Sequence, residues 1–197
     1  MRFTLIIAAS LLFLPLQASG LEVTPMIGYT FGGEVRSETD EKLTFDEGGS
    51  FALAVDFDLV EADKQIELFW SHQQTRLSGN DNAKIFDTKI DYLHIGGTVQ
   101  YPQNGYVPFI AGGFGATHFS PDDGYKAETR FSISVGGGIK AFITKQVGLR
   151  LEGRGYVTFM PTEGSIFCGG DSDGCTVMAS GDALFVFQGL AGVFLRF

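Results

Sequence analysis

His118 and Ser120 stand two residues apart, a spacing that puts both side chains on one face of a β-strand. An imidazole beside a hydroxyl is the base-and-nucleophile pairing of acyl transfer, where a carboxylate orients the ring. The only nearby glutamate is Glu128, and Ser120 opens a turn-forming Ser-Pro. Cys168 and Cys175 bracket a glycine- and aspartate-rich stretch, Gly169 to Gly174, able to turn back on itself, so the two sulfurs are expected as a disulfide in an exported chain. Asp171 and Asp173 inside it offer oxygens to calcium, but the remaining ligands of a calcium loop are missing. No metal or cofactor is expected. Of the other histidines, His94 shares its parity with Tyr92, Gly96 and Thr98 and is expected as a satisfied interior residue, while His72 lies toward a strand end.

These side chains need elements to hold them, and the chain supplies one period throughout. From Gly49 to Leu59 the odd positions carry Phe51, Leu53, Val55 and Phe57, whereas the even ones carry Ser50, Ala52, Ala54, Asp56 and Asp58. That is strand alternation, with one greasy and one polar face. It recurs in Arg130–Ile143 and Val147–Phe159, and less regularly in 22–33, 65–77, 89–101, 106–119 and 183–197, about eight segments of membrane-strand length. Tight turns at 61–63, 102–105 and 144–146 alternate with longer polar stretches at 37–48, 78–88, 120–129 and 161–182. An even strand number with short turns at one end and four long loops at the other predicts an all-β, eight-stranded antiparallel up-and-down transmembrane β-barrel.

A soluble barrel alternates too, with its greasy face inward. Here the polar face mixes Gly and Ser with Glu22, Asp56, Asp58, Glu67, Lys140, Arg150, Glu152, Arg154 and Arg196. Near-balanced charges among small residues suit a narrow, ion-paired lumen, so Phe51, Leu53, Val55, Phe57, Phe131, Ile133, Val135, Leu149 and Leu151 are expected to face lipid. On the same parity His118 and Ser120 fall with Ile110, Phe114 and Ala116 on the lipid side.

The first 20 residues have a basic start, an apolar run from Leu5 to Leu16 and a small-residue end, the layout of a cleaved signal peptide before a barrel domain over 21–197. Losing Arg2 with it leaves 13 of 14 bases against 23 acids, a formal charge of −10. Without a Lys/Arg cluster, nucleic acid is excluded as a partner. Much of the excess acid sits in the first loop, at Glu38, Asp40, Glu41, Asp46 and Glu47, where divalent cations would bridge it to an anionic lipid surface.

The chain ends Val193-Phe194-Leu195-Arg196-Phe197, with Val193, Leu195 and Phe197 on alternate positions. This resembles the terminal signature read by the outer-membrane barrel insertion machinery. Val23 to Gly33 and Pro108 to Ala116 are similar to strands of the eight-stranded outer-membrane β-barrel family typified by the transmembrane domain of outer-membrane protein A. The resemblance implies a bacterial outer-membrane location, periplasmic chaperones and insertion machinery as assembly partners, and lipid and lipopolysaccharide as surroundings. It implies a monomer with a structural or surface-interaction role and no catalysis; the peptidoglycan-binding domain that larger members carry after the last strand, and with it cell-wall tethering, is not expected. His118-x-Ser120 also resembles the pair carried by outer-membrane lipid A deacylases, although Pro121-Asp122-Asp123 departs from their continuation. A narrow channel lined by Lys140 or Arg150 is the third expectation.

Overall fold

The computed structural model describes residues 20–36, 42–61, 63–78, 84–122, 126–160, 165–168, 175–178 and 183–197. The expected leader, apart from Gly20, lies outside the described residues, as do Asp171 and Asp173. The strands are β1 (Leu21–Phe31), β2 (Glu34–Arg36), β3 (Lys42–Phe45), β4 (Gly48–Asp58), β5 (Lys64–Ser78), β6 (Lys84–Gln100), β7 (Val107–Pro121), β8 (Glu128–Phe142), β9 (Val147–Phe159), β10 (Ser165–Cys168), β11 (Cys175–Met178) and β12 (Ala183–Arg196).

Eight of them make a closed antiparallel ring, β1-β4-β5-β6-β7-β8-β9-β12, sealed by β12 against β1. Following the register from Thr30 through Gln188, Arg154, Gly136, Ala111, Thr98 and Gln65 to Asp58 leads back to β1 at Gly20, whose carbonyl accepts from Asp58. The circuit therefore ends ten positions from its start (30 to 20). A stagger of this size tilts the strands, and eight of them enclose only enough room for side chains.

Alternation decides the two faces as expected. Phe51 is 62% exposed and Val135 70%, while Ala54, Asp56 and Arg150 are at 0%. The lumen is layered. Phe45, Leu77, Ile90, Phe119 and Leu184 close the long-loop end, with Phe45 stacked on Phe119 at 6.3 Å. Phe69, Tyr92 and Tyr156 fill the middle, the two tyrosine rings 4.1 Å apart, and the charged residues occupy the short-turn end. Big meets small across strands: Glu152 opposes Gly138, Arg154 opposes Gly136 and Tyr156 opposes Ser134.

The expected four long loops need correction. β6 starts at Lys84 and stays paired with β5 up to Ser78, so the connection expected over 78–88 shrinks to 79–83. The stretches 37–48 and 161–182 likewise contain β3 and the β10/β11 hairpin. Toward the long-loop end the outward face of the strands is no longer apolar, as at Gln74 and Lys89, so alternation fades while backbone pairing continues. Polar composition there accompanies paired strand, and Phe45 lies within β3.

Candidate functional site

The nine lumen charges separate into two groups. Seven are buried together at the short-turn end. Arg150 donates from Nη1 to Asp56 Oδ2 (2.8 Å), from Nη2 to Glu67 Oε2 (2.7 Å) and from Nε to Glu152 Oε2 (2.9 Å). Arg154 completes a square, donating to Glu67 Oε1 and Glu152 Oε1, both at 2.6 Å. Lys140 bonds Glu22 and lies 4.0 Å from Asp56 Oδ2. Aromatic faces cover the guanidiniums, Phe69 at 3.7 Å from Arg154 and Phe109 at 4.6 Å from Arg150. The second group is the rim pair Arg196–Asp58, joined by Gln65 donating to Asp58 Oδ1 at 2.7 Å. In the buried group four carboxylates face three cations, and Asp56 Oδ1 has no partner among the described residues. Such a cluster clamps β1, β4, β5, β8 and β9 together across the lumen and presents no open position for a substrate.

Above it lies a neutral network that parity placed inside but could not pair. Gln188 Oε1 accepts from Ser71 (3.0 Å) and Tyr156 (2.7 Å), and its Nε2 donates to Thr30 (3.0 Å). Both ring nitrogens of His94 are engaged, with Ser134 and Ser132, each at 2.8 Å. This histidine is saturated.

The outer face holds the other two histidines. His118 is exposed, as expected, and its Nδ1 lies 2.8 Å from Thr129 Oγ1; Ser120 lies on the same face. Glu128, the glutamate nearest in sequence, pairs with Arg130. His72 pairs through Nδ1 with Asp91 Oδ1 at 2.9 Å, a partner that period-two reasoning missed because it lies across the sheet.

No protein-family model matches the sequence, and no curated protein does. Solved structures do match. Neisserial surface protein A aligns over 91% of this chain and 98% of its own, at TM-score 0.63 and 16% identity. Outer membrane protein OprG from Pseudomonas aeruginosa aligns over 91% and 97%, at 0.59 and 12%. The chain has the fold of the eight-stranded outer-membrane barrels. The outer membrane protease OmpT from Escherichia coli also aligns, over 94% of this chain and 99% of its own at TM-score 0.50 and 9% identity, so this architecture carries more than one kind of role.

In the barrel, Val193 and Leu195 face outward on β12 at 43% and 40% exposure, and Phe197 closes onto β1 by donating to the Leu21 carbonyl. Cys168 and Cys175 stand directly opposite each other in the β10/β11 hairpin. Among the described residues no group of three or more His, Cys, Asp or Glu side chains converges as a metal site.

Proposed function

We propose that the chain is an integral protein of the bacterial outer membrane with a filled lumen, acting as a scaffold whose role is structural or directed at the cell surface through its longer connections. One observation carries this: the exterior is apolar around the ring, from Ile27 through Phe114 and Leu151 to Phe187, each more than half exposed, whereas Arg150, Arg154 and Lys140 are sealed inside. In water that arrangement would expose a large apolar surface with no compensating burial. The reading includes insertion through periplasmic chaperones and recognition of Val193, Leu195 and Phe197 at the last strand. It also includes a monomeric state, lipid and lipopolysaccharide as neighbours, and divalent cations bridging the first loop's acids to lipopolysaccharide.

The filled lumen speaks against the channel alternative. The lipid A deacylase alternative has His118 and Ser120 on a common face, but among the described residues the imidazole Nδ1 is engaged by Thr129 and not by an acid. Fractionation with heat-modifiable gel mobility tests the location, and a soluble periplasmic product would overturn it. Planar-bilayer recording of the purified protein tests closure, with no stepwise conductance expected.

A further inference from the structure

The register places Phe51, His72, Asp91, His118 and Thr129 side by side on the outer face of β4 to β8. One row toward the short turns lie Trp70, Leu93, Ala116 and Phe131; one row the other way lie Gln74, Lys89 and Ser120. The row thus marks the edge of the apolar band. On the membrane reading above, this is the depth of the acyl esters and headgroups of the outer leaflet.

His72 is held there in one tautomer. A carboxylate only accepts, so Nδ1 carries the hydrogen donated to Asp91 Oδ1, which in the neutral ring leaves the lone pair on Nε2. The same oxygen accepts from Trp70 Nε1 at 3.2 Å, and the imidazole stacks on the indole at 6.1 Å. Imidazole and carboxylate are partly exposed, at 25% and 30%. Trp70 and Phe51 also wall an apolar groove of about 560 Å³ that runs on past Leu53 and Ile27 to Val193. Phe51, the cross-strand neighbour of His72, is one wall of that groove, so a carboxylate-paired imidazole stands beside an apolar trough.

We propose that this row hydrolyses an acyl ester of an outer-leaflet lipid, with the acyl chain in the groove and His72 as general base. His72 Nε2 takes a proton from water while the water oxygen bonds to the ester carbonyl carbon. The carbon–alkoxy bond then breaks, the alkoxide leaves as the alcohol with that proton, and the acyl group leaves as the free acid. Asp91 is a positioning residue. Lys89 and His118, neighbours of Asp91 in the ladder, are the donors at hand for the carbonyl oxygen. The groups facing His72 are Asp91 and Lys89 from β6, Phe51 from β4, and Trp70 and Gln74 on its own strand. The activity goes beyond the scaffold reading, and its failure would leave membrane location and lumen closure untouched.

The test uses the full chain refolded into vesicles, one set of phosphatidylethanolamine and one containing lipopolysaccharide, with released fatty acid measured by mass spectrometry from pH 5 to 9. Release from one set or the other identifies the lipid. The wild type is expected to release acid with an activity that falls at low pH, His72→Ala to lose roughly 100-fold or more, and Asp91→Asn to lose activity with a displaced acid limb. His72→Gln, closer in shape, serves if the alanine variant fails the heat-modifiability check. No release from either set by wild type overturns the proposal. So does release that survives in the His72 variants, and loss confined to Ser120→Ala would hand the chemistry to His118 and Ser120.

Discussion

Replacing Arg150 by Met tests whether the lumen charges act as one cluster. Methionine keeps an unbranched apolar stem of similar reach, so packing against Phe109 is largely retained while the charge goes. Glu67 and Glu152 each keep Arg154 at 2.6 Å, but Asp56 keeps only Lys140, 4.0 Å away. One fully buried carboxylate therefore loses its close cation, which costs about 3–5 kcal/mol in comparable buried pairs, or roughly two to three and a half decades in the folding equilibrium. Asp56→Asn alone should be far milder, under about 1.5 kcal/mol. It removes the carboxylate in excess and leaves Arg150 bound to Glu67 and Glu152. In the Arg150→Met/Asp56→Asn double variant at least about 1 kcal/mol of the single loss should return, since coupled sites are not additive. The single tryptophan, Trp70, reports urea unfolding in phospholipid vesicles, with gel mobility as a second probe. A loss below about 1 kcal/mol for Arg150→Met, or a double variant worse than the sum of its parts, would refute the cluster.

Other expected outcomes rest on different parts of the barrel. A Cβ at Gly138 would lie 2.0 Å from the Leu151 carbonyl, so Gly138→Val should cost about 1–3 kcal/mol or block folding on gels, whereas Gly49→Ala, with nothing within 4 Å, should be neutral. Phe45→Ala should free the β2/β3 hairpin for protease cleavage without opening conductance, because the tyrosine and arginine layers still fill the bore; single-channel steps in that variant would show Phe45 to be the seal. Directly opposed strand residues have Cα atoms about 4.5–5.5 Å apart, inside the disulfide range. Cys168 and Cys175 should therefore resist maleimide until reduced, and labelling of the unreduced exported protein would exclude the bond.

Much of this was legible because a strand has only two faces. Parity alone separated Phe51 from Asp56, grouped the nine charges on the inside and set His118 and Ser120 outside together. It could not say which carboxylate meets which guanidinium. Arg150 and Glu67 are 83 residues apart and meet only through the stagger of the whole ring. The His72–Asp91 pair was hidden for the same reason, since register between β5 and β6 is set by their full pairing and not by either segment alone. The strand ends were not legible in the sequence, because apolar alternation stops short of them while hydrogen bonding continues, as between Gln74–Ser78 and Lys84–Lys89.

Filling of the bore follows from pairings that no single strand encodes. β9 projects Arg150, Glu152, Arg154 and Tyr156 inward in succession, and β8 answers the last three with Gly138, Gly136 and Ser134. On the opposite wall β4 presents Ala52 and Ala54, against Met26 and Phe69. Each large side chain thus occupies the space its small partner vacates, and the two guanidiniums are neutralised by Asp56 of β4 and Glu67 of β5 together with Glu152 of β9 itself. Enlarging the bore would require removing Arg150, which strands Asp56, or Tyr156, which takes a donor from Gln188. The interior is therefore resistant to stepwise conversion into a passage, and chemistry or recognition has room to vary only on the outer rows and the connections beyond them.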